Sequence, residues 1–312
     1  MEAVRCLGLS KEYDGLLALD RLSLSIEEGT IFGFLGPNGA GKTTTIKLLT
    51  GLTHPTAGQA WVAGHQVTAD SRAVHGIIGY LPEEPAFYNW MSGREFLEHV
   101  GELFGLPPKV RKSRVDEVLG LVDLVSAAKR RVGGYSRGMR QRLGIAQAMI
   151  NNPRVLFLDE PASALDPLGR LDVLNVIRAL KGQTTVFMSS HILADVERVC
   201  DTVSILNHGR LVTQARTEEL KEKYAKPIFV LEFEGPVAGL AAKLRALPWV
   251  EKVEATETAL KVFARDVSTA KRELPQVVSS SQIGLLRYEL AMPSLEDIFV
   301  KLVEDDRQGG QG

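Results

Sequence analysis

The sequence has few cysteines, no excess charge of either sign and no long apolar run. Its two cysteines, Cys6 and Cys200, are too far apart in the 312 residues to fit a metal-binding or redox spacing. Lysine and arginine number 37 against 38 aspartates and glutamates, which disfavours a nucleic-acid-binding surface because such proteins are usually basic. No apolar run approaches the ~20 residues of a membrane-spanning helix, and residues 1–5 contain no apolar signal segment. We therefore expect a cytoplasmic protein with reduced thiols, no membrane span of its own and no direct nucleic-acid partner.

The strongest functional signal is a glycine-rich segment between an apolar strand at 30–35 and a helix at 44–50. It matches the phosphate-binding P-loop pattern G-x-x-x-x-G-K-[ST]. Its residues are Gly36, Pro37, Asn38, Gly39, Ala40, Gly41, Lys42 and Thr43. Inward-turned backbone N–H groups and the positive end of the helix favour an anion there. A glycine-rich turn formed by chance is the alternative, and the correct flanking elements argue against it.

The side chains of this loop suit a nucleoside triphosphate with Mg²⁺. Lys42 can reach the β- and γ-phosphates, and the Thr43 hydroxyl can bind Mg²⁺. The Thr44 hydroxyl can add a further phosphate contact. We therefore expect the chain to bind a nucleoside triphosphate.

Two further segments place polar side chains after buried strands. The apolar run 155–158 precedes Asp159 and Glu160, and residues at the carboxyl end of such a strand face the ligand crevice of an open α/β sheet. Asp159 can hold Mg²⁺, and Glu160 can orient an attacking water as catalytic base. The alternative is a pair of acids that merely ends a strand. His191 follows the strand predicted at 184–190, where it either faces the γ-phosphate or makes a structural hydrogen bond.

The rest of the first 224 residues adds strands, helices and one unusual helix start. Residues 1–30 predict antiparallel strands with Tyr13 before a turn, either as core or as a ring that stacks on adenine. Residues 91–130 predict helix throughout apart from a break at the proline pair 107–108, with a capping box at its start. Ser136 is a plausible N-cap for a helix over 139–150. Three arginines (137, 140 and 142) near that helix start oppose its dipole, so we expect an anion to dock there.

These motifs, in this order over about residues 3–220, resemble the ATP-binding cassette (ABC) family. Walker A is residues 36–43, and Walker B is residues 155–159 followed by Glu160; His191 resembles the switch histidine, and Tyr13 lies at the adenine-stacking position. The D-loop resemblance is carried by Ser163, Ala164, Leu165 and Asp166. The signature loop, usually L-S-G-G-Q, is here Tyr135, Ser136, Arg137, Gly138 and Met139, of which Ser136 and Gly138 match. Glu83 stands where the family has the glutamine of the Q-loop, and can still offer an oxygen to Mg²⁺.

The resemblance implies an α/β P-loop NTPase fold over residues 1–224. Such a fold has a RecA-like parallel core sheet, an antiparallel β-subdomain and a helical subdomain, here at about residues 86–150. It also implies an ATPase that works as a head-to-tail dimer with an identical or paralogous partner, in which Ser136 and Gly138 of one subunit cover ATP on the other. The catalytic residues would be Lys42, Glu160 and His191, and the metal ligands Thr43, Glu83 and Asp159.

Residues 225–312 carry no catalytic motif, and their predicted order βαββαβ indicates a small ferredoxin-like α+β domain. The segment 293–299 fits P-S-L-E-D-x-F, which resembles the branch of cassette ATPases that serve exporters of drugs, sodium or other small solutes with a separate permease. A regulatory or dimer-supporting role and a packing role both remain open for this domain.

The leading hypothesis is therefore the ATPase subunit of a membrane exporter, peripheral on the inner face of the membrane through its permease. The permease would dock near Glu83 and residues 86–105, where Phe87, Tyr88 and Trp90 cluster. One alternative is a soluble cassette ATPase acting on a ribosome or nucleic-acid complex. Another is a nucleotide-gated binding module with little turnover. The sequence names neither the cargo nor the transport direction beyond this branch.

Overall fold

The computed structural model describes residues 1–68, 70–163, 165–223, 228–291, 294–299 and 302. The described chain divides into two compact units, the first ending at Thr217 and the second beginning at Glu218. The boundary predicted between residues 224 and 225 lies outside the described residues, as do Ala164 of the D-loop, Pro293 of the C-terminal motif and the tail 309–312.

The first unit alternates strands and helices. Its strands are β1 (Glu2–Tyr13), β2 (Leu16–Glu27), β3 (Ile31–Leu35), β4 (Ala57–Val62), β5 (His65–Gln66), β6 (Ile78–Leu81), β7 (Val155–Leu158), β8 (Thr185–Ser190), β9 (Thr202–Asn207) and β10 (Arg210–Arg216). Its helices are α1 (Lys42–Leu49), α2 (Arg72–His75), α3 (Gly93–Leu103), α4 (Pro108–Leu121), α5 (Arg137–Met149), α6 (Pro167–Ala179) and α7 (Leu193–Val199), and α8 (Thr217–Lys223) follows at the boundary.

A six-stranded sheet in the order β10-β9-β3-β8-β7-β6 forms the core. Strands β3, β6, β7, β8 and β9 run parallel, and only β10 is antiparallel to its neighbour. Strands β3, β7 and β8 are buried at every position, as expected for a sheet covered on both faces. Their carboxyl ends lie side by side, which confirms the predicted fold class and gathers the segments after them at one edge.

A separate antiparallel sheet, ordered β2-β1-β4-β5, forms the β-subdomain. Its first two strands have 12 residues each, longer than the apolar runs from which they were predicted. Pairing extends them beyond those runs, so that Tyr13 pairs with Leu16 across the turn.

The helical region is less continuous than predicted. Ser92 and Glu95 form the expected capping box, and helices α3 and α4 follow. Residues 122–131, however, are not helical, so the prediction of helix throughout 91–130 is wrong there. The chain leaves α4 at Val122 and passes through Asp123 at φ 52°, a left-handed conformation that a continuing helix cannot contain.

The second unit has the predicted βαββαβ order. Its elements are β11 (Ile228–Phe233), α9 (Ala238–Arg245), β12 (Val250–Ala255), β13 (Ala259–Ala264), α10 (Val267–Ser279) and β14 (Leu285–Ala291). The sheet order β12-β13-β11-β14 is antiparallel throughout, which is the ferredoxin-like arrangement. Apolar residues of β11, β12, β13 and both helices form one buried cluster, and residues 295–299 add a further helical turn.

Candidate active site

The loop between β3 and α1 is folded tightly enough to require glycine at two positions. A Cβ atom on Gly36 would lie 2.5 Å from the carbonyl oxygen of Leu206. Gly41 has φ +105°, and a Cβ there would lie 2.6 Å from the carbonyl oxygen of Ala18. Helix α1 begins directly after Gly41, and no side chain caps its N-terminus. Its first backbone N–H groups are therefore left for an anion.

This helix start opens into a cavity of about 310 Å³. The lining residues come from the start of β2, the P-loop, the segment after β6 and the residues that follow β7 and β8. They are Ala18, Asn38, Gly39, Ala40, Gly41, Lys42, Thr43, Thr44, Glu83, Glu160 and His191. Residues predicted from the P-loop, the Q-loop position, the end of Walker B and the switch histidine thus meet around one cavity.

Lys42 is held inside the loop by backbone and by one carboxylate. Its Nζ donates to the carbonyl oxygens of Gly36 at 2.8 Å and Pro37 at 3.3 Å. The same nitrogen lies 3.2 Å from Oε1 of Glu160, and both side chains are less than a tenth exposed. A buried ammonium needs such a partner because an unpaired buried charge is costly. Glu160 is therefore the counterion of Lys42 in this structure.

Glu160 itself is held from three directions. Its φ is 49°, a left-handed value that costs a non-glycine residue about 1–3 kcal/mol unless its surroundings hold it. Its backbone N–H donates to Oγ of Ser189 at 2.9 Å. Its Oε2 lies 2.8 Å from Nδ1 of His191. These contacts fix the carboxylate between Lys42 and His191.

Ser189 is a site residue that the sequence analysis missed. It is fully buried on β8, and its Oγ donates to Oδ1 of Asp159 at 2.6 Å while accepting the Glu160 N–H. One hydroxyl thus orients both acids of Walker B. The signal that could have found it is its place at the carboxyl end of β8, beside the strand that ends in the two acids.

Asp159 lies just behind the cavity and is 1% exposed. Burial first, and the Asp159 charge second, raise the pKa of Tyr80 to about 12. Tyr80 therefore stays a neutral phenol beside this carboxylate.

Comparisons with known proteins agree with this geometry. The family described as "ABC transporter" matches residues 19–163, and the family described as "ATP-binding protein DrrA1-3-like, C-terminal domain" matches residues 216–303. The ABC transporter ATP-binding protein YxlF of Bacillus subtilis is 39% identical, over 95% of this chain and 97% of its own length. The daunorubicin resistance ATP-binding protein DrrA3 of Streptomyces coeruleorubidus is 36% identical over 98% and 97%. The bacitracin transport ATP-binding protein BcrA of Bacillus licheniformis is 34% identical over 96% and 97%.

The chain belongs to the ABC transporter ATP-binding protein family. A solved ATP-binding subunit of an ABC transporter shares its fold with a TM-score of 0.64 and 27% identity, over 71% of this chain and 93% of that one. A dimeric post-hydrolysis state of an ATP-binding cassette, bound to ADP and Pi, has the same fold at a TM-score of 0.62 and 22% identity, over 69% and 98%. The protein is therefore an ATP-binding and ATP-hydrolysing subunit of the ABC transporter type. Within the described part of this ABC ATPase, no helix is both long and apolar enough to span a bilayer.

The family's signature residues do not line the cavity of their own chain. Ser136 caps α5, where its Oγ accepts the Met139 N–H at 3.2 Å. Tyr135 is buried, and its hydroxyl donates to the carbonyl oxygen of Ala127 at 2.8 Å. Arg137 is exposed and Gly138 half-buried at the start of the helix. The loop therefore presents Ser136 and Arg137 outward.

Tyr13 and the described D-loop residues also lie outside the cavity lining. Tyr13 is 39% exposed, which rules out the core alternative, and Nζ of Lys11 lies 4.7 Å from its ring centroid. In the D-loop, Ser163 N–H donates to the Glu160 carbonyl oxygen at 3.1 Å. Leu165 follows, and Asp166 is the N-cap residue of α6.

Two of the three arginines near the α5 start have partners within their own chain. Arg140 donates to the carbonyl oxygen of Gly133 at 3.4 Å, and Arg142 has carboxylate partners. Arg142 is 13% exposed and contacts the carboxylates of Asp123 and Asp172 at 3.5 and 3.7 Å. It also donates to the carbonyl oxygen of Val122 at 3.1 Å. The expectation that all three arginines serve an incoming anion is therefore wrong for Arg142, whose guanidinium contacts carboxylates both after α4 and on α6.

A second missed contact joins the helix after the D-loop to the helix after His191. Arg170 Nε on α6 donates to Oδ1 of Asp195 on α7 at 2.6 Å, and the Asp195 side chain is 3% exposed. Burial raises the pKa of Asp195, although the hydrogen bond from Arg170 acts in the opposite direction.

Replacing Ser189 with alanine tests its role in holding the two acids. Because the buried Asp159 carboxylate and the Glu160 N–H both lose their partner, we expect Ser189→Ala to lower the free energy of unfolding by about 1.5–3 kcal/mol in urea denaturation. Ser204→Ala is the matched control, because Ser204 is equally buried on β9 and its Oγ has no hydrogen-bond partner among the described residues. Equal effects of the two substitutions would contradict the bridging role.

Proposed function

We propose that this ABC ATPase drives a small-molecule exporter whose permease is a separate chain, and that it hydrolyses ATP in a head-to-tail dimer. One observation carries the proposal. The cavity gathers the P-loop, Glu83, Glu160 and His191 of one chain but none of that chain's signature residues. A second subunit can supply Ser136 and Gly138 to close it. The export direction is supported by the relatives named for daunorubicin resistance and bacitracin transport.

The residues at the cavity fit ATP with Mg²⁺. The hydroxyl of Thr43 and the carboxylate of Glu83 line it, with Asp159 directly behind, and hard oxygen donors of this kind suit Mg²⁺. Among the described residues there is no cluster of three or more His, Cys, Asp or Glu able to hold a metal. Phosphate oxygens would therefore complete the coordination, as is usual for this ion. When bound, Mg²⁺ neutralises charge on the transferring phosphate.

The Lys42–Glu160 pair gives a role to each of the catalytic residues. A bound triphosphate offers Lys42 a stronger anionic partner, which releases Glu160 to orient the attacking water. His191, already on the Glu160 carboxylate, keeps that side chain turned toward the γ-phosphate. Catalysis then depends on positioning and on stabilisation of charge, without a covalent intermediate.

The permease has a candidate docking surface between the core sheet and the helical region. A groove of about 300 Å³ there includes Leu52, Tyr80, Val100 and Phe104 in its lining. In the adjoining loop, Tyr88 and Trp90 are 51% and 67% exposed with ring centroids 6.1 Å apart. Exposed aromatic side chains of this kind are enriched in protein interfaces. Docking there would place this ATPase on the inner face of the membrane.

Loss of the P-loop lysine tests nucleotide binding at this cavity. We expect Lys42→Ala to remove about 3 kcal/mol of phosphate stabilisation, which weakens ATP affinity more than about a hundredfold in a fluorescent-nucleotide titration. Lys47→Ala is the matched control, because Lys47 is exposed on the same helix and leaves the affinity unchanged. Similar losses in both variants would remove Lys42 from the phosphate site.

Replacing Glu160 separates binding from turnover. We expect Glu160→Gln to keep ATP binding, to slow phosphate release by about a hundredfold or more, and to accumulate a nucleotide-bound dimer visible by light scattering. The exposed Glu219→Gln serves as control. Unchanged turnover in Glu160→Gln would exclude Glu160 as the residue that orients water.

The docking surface predicts a selective loss of membrane association. In the native host, Trp90→Glu should shift the protein from the membrane fraction to the soluble fraction, because a charge replaces an exposed apolar contact. Val110→Glu on α4, where Val110 is 54% exposed, should leave the distribution unchanged. If Trp90→Glu remains with the membrane as fully as the control, the permease docks elsewhere.

A further inference from the structure

The exposed large apolar side chains of the second unit, among its described residues, all lie on one strand. They are Leu285, Leu286, Tyr288 and Leu290 of β14, exposed by 44, 64, 39 and 39%. Strand β14 is an edge strand and pairs with β11 alone among the described strands. An exposed apolar edge of this kind is a template for pairing with another chain.

The opposite edge of the same sheet is different in character. Strand β12 carries Glu251, Lys252 and Glu254 among its six residues, and charges along an edge are a common way in which proteins prevent strand pairing. Strand β14 contains one residue of each sign and no proline. Of the two edge strands, only β14 therefore has exposed apolar side chains together with equal numbers of positive and negative residues.

The residues of β14 are complementary to themselves when two copies run antiparallel. With Tyr288 on the twofold axis, Leu286 of one copy lies opposite Leu290 of the other. Arg287 then lies opposite Glu289, and each Tyr288 lies opposite its own copy. Opposite charges and apolar pairs directly across an antiparallel ladder stabilise it, and like charges destabilise it. A one-residue change of register would lose both matches.

The two faces of β14 differ in character, because charged residues lie on one face and apolar residues on the other. Arg287 lies 3.1 Å from the Glu232 carboxylate and also contacts Glu289, so the charged residues share one face. Tyr288 contacts the Phe229 ring on the other face, with centroids 6.0 Å apart. On that face Tyr288 lines a cavity of about 370 Å³, together with apolar residues that include Val278 on α10 and Ile283 after it.

We propose that β14 pairs antiparallel with β14 of a second copy of this chain, which joins two four-stranded sheets into one of eight strands. The complementary charges favour a second copy over an unrelated strand, because one antiparallel register of self-pairing matches both Arg287 with Glu289 and Leu286 with Leu290. The contact is isologous and closes on itself. It needs no nucleotide, so it is independent of the ATP-dependent dimer proposed above.

The contact is small, and this determines its role. A pair of seven-residue strands buries less than the ~1,200–2,000 Å² of a standard stable interface. Alone it gives a weak dimer. Together with the ATP-bound contact it raises the effective concentration of one subunit near the other, since two linked contacts reinforce each other.

A cysteine placed on the axis tests the register in the full-length, nucleotide-free protein. Directly opposed residues have Cβ atoms about 4.5–5.5 Å apart, close to disulfide range, so Tyr288→Cys should form a covalent dimer under mild oxidation. Leu286→Cys is the matched control, because the two copies of residue 286 would be about 13 Å apart along the strands. The native thiols are buried, and burial raises the pKa of Cys6 to about 12, which keeps background cross-linking low. Absence of the Tyr288→Cys dimer, or equal yields from both variants, would overturn the proposal.

Charge reversal on the Tyr288→Cys background provides an independent test. Either Arg287→Glu or Glu289→Arg alone places like charges opposite each other twice, and we expect about a tenfold loss of cross-linked dimer. Glu289→Arg leaves the Arg287–Glu232 contact within the chain in place. A lower yield of cross-linked dimer in this variant is therefore attributed to the contact between copies and not to loss of that ion pair. Mixing the two single variants restores complementarity at both pairs and should restore the yield in the mixed dimer. Failure of the mixture to recover would exclude this pairing.

Discussion

The buried ion pair between Lys42 and Glu160 is the constraint on which the rest of the site depends. It joins the P-loop after β3 to the acids after β7, two strands that are not neighbours in the sheet. The strand between them, β8, contains Ser189 and is followed directly by His191, and each contacts Glu160. Because an ammonium or carboxylate left alone at this depth would be strongly destabilising, the pair fixes the ends of all three strands relative to one another. In the mechanism proposed above, a triphosphate would enter a site whose charges are already paired, and it would act by replacing Glu160 as the partner of Lys42.

The sequence predicts those parts of this arrangement that depend on contiguous residues. The P-loop, the apolar run before Asp159 and the strand before His191 each have a local pattern, and parallel strands bring their carboxyl ends to one edge. It does not predict the left-handed φ of Glu160 or the hydroxyl of Ser189 that joins the two acids, because these depend on contacts between segments about 30 residues apart. The contacts of Arg142 were not predicted for the same reason. Its charge pattern suggested an external anion, whereas the non-helical segment at 122–131, itself mispredicted, supplies carbonyl and carboxylate groups.

The two units differ in what they bury and in what they expose. The first buries charged residues and keeps them paired, and its signature residues point away from its own cavity. Among its described residues the second unit has no comparable buried cluster of charges, and its core is the apolar cluster of the ferredoxin-like fold. Its distinctive feature is the edge strand β14, whose residues are complementary to those of a second β14 that runs antiparallel to it. If ATP is hydrolysed in the head-to-tail dimer proposed above, a second symmetric contact through β14 would keep the two subunits close between cycles of ATP binding.

The Arg170–Asp195 contact shows how a change at the subunit boundary would reach the histidine. Asp195 lies on α7, four residues after His191, and its carboxylate is almost fully buried. Its Oδ2 has no hydrogen-bond partner in the described structure, so Oδ1 and Arg170 carry its stabilisation. Moving α6 away would leave a buried carboxylate unpaired, at a cost of several kcal/mol. The ion pair therefore couples the positions of α6 and α7. Helix α6 follows the D-loop, and α7 follows the residue bound to Glu160. If the second subunit proposed above displaced the D-loop, this pair would connect that displacement to the carboxylate that faces Lys42.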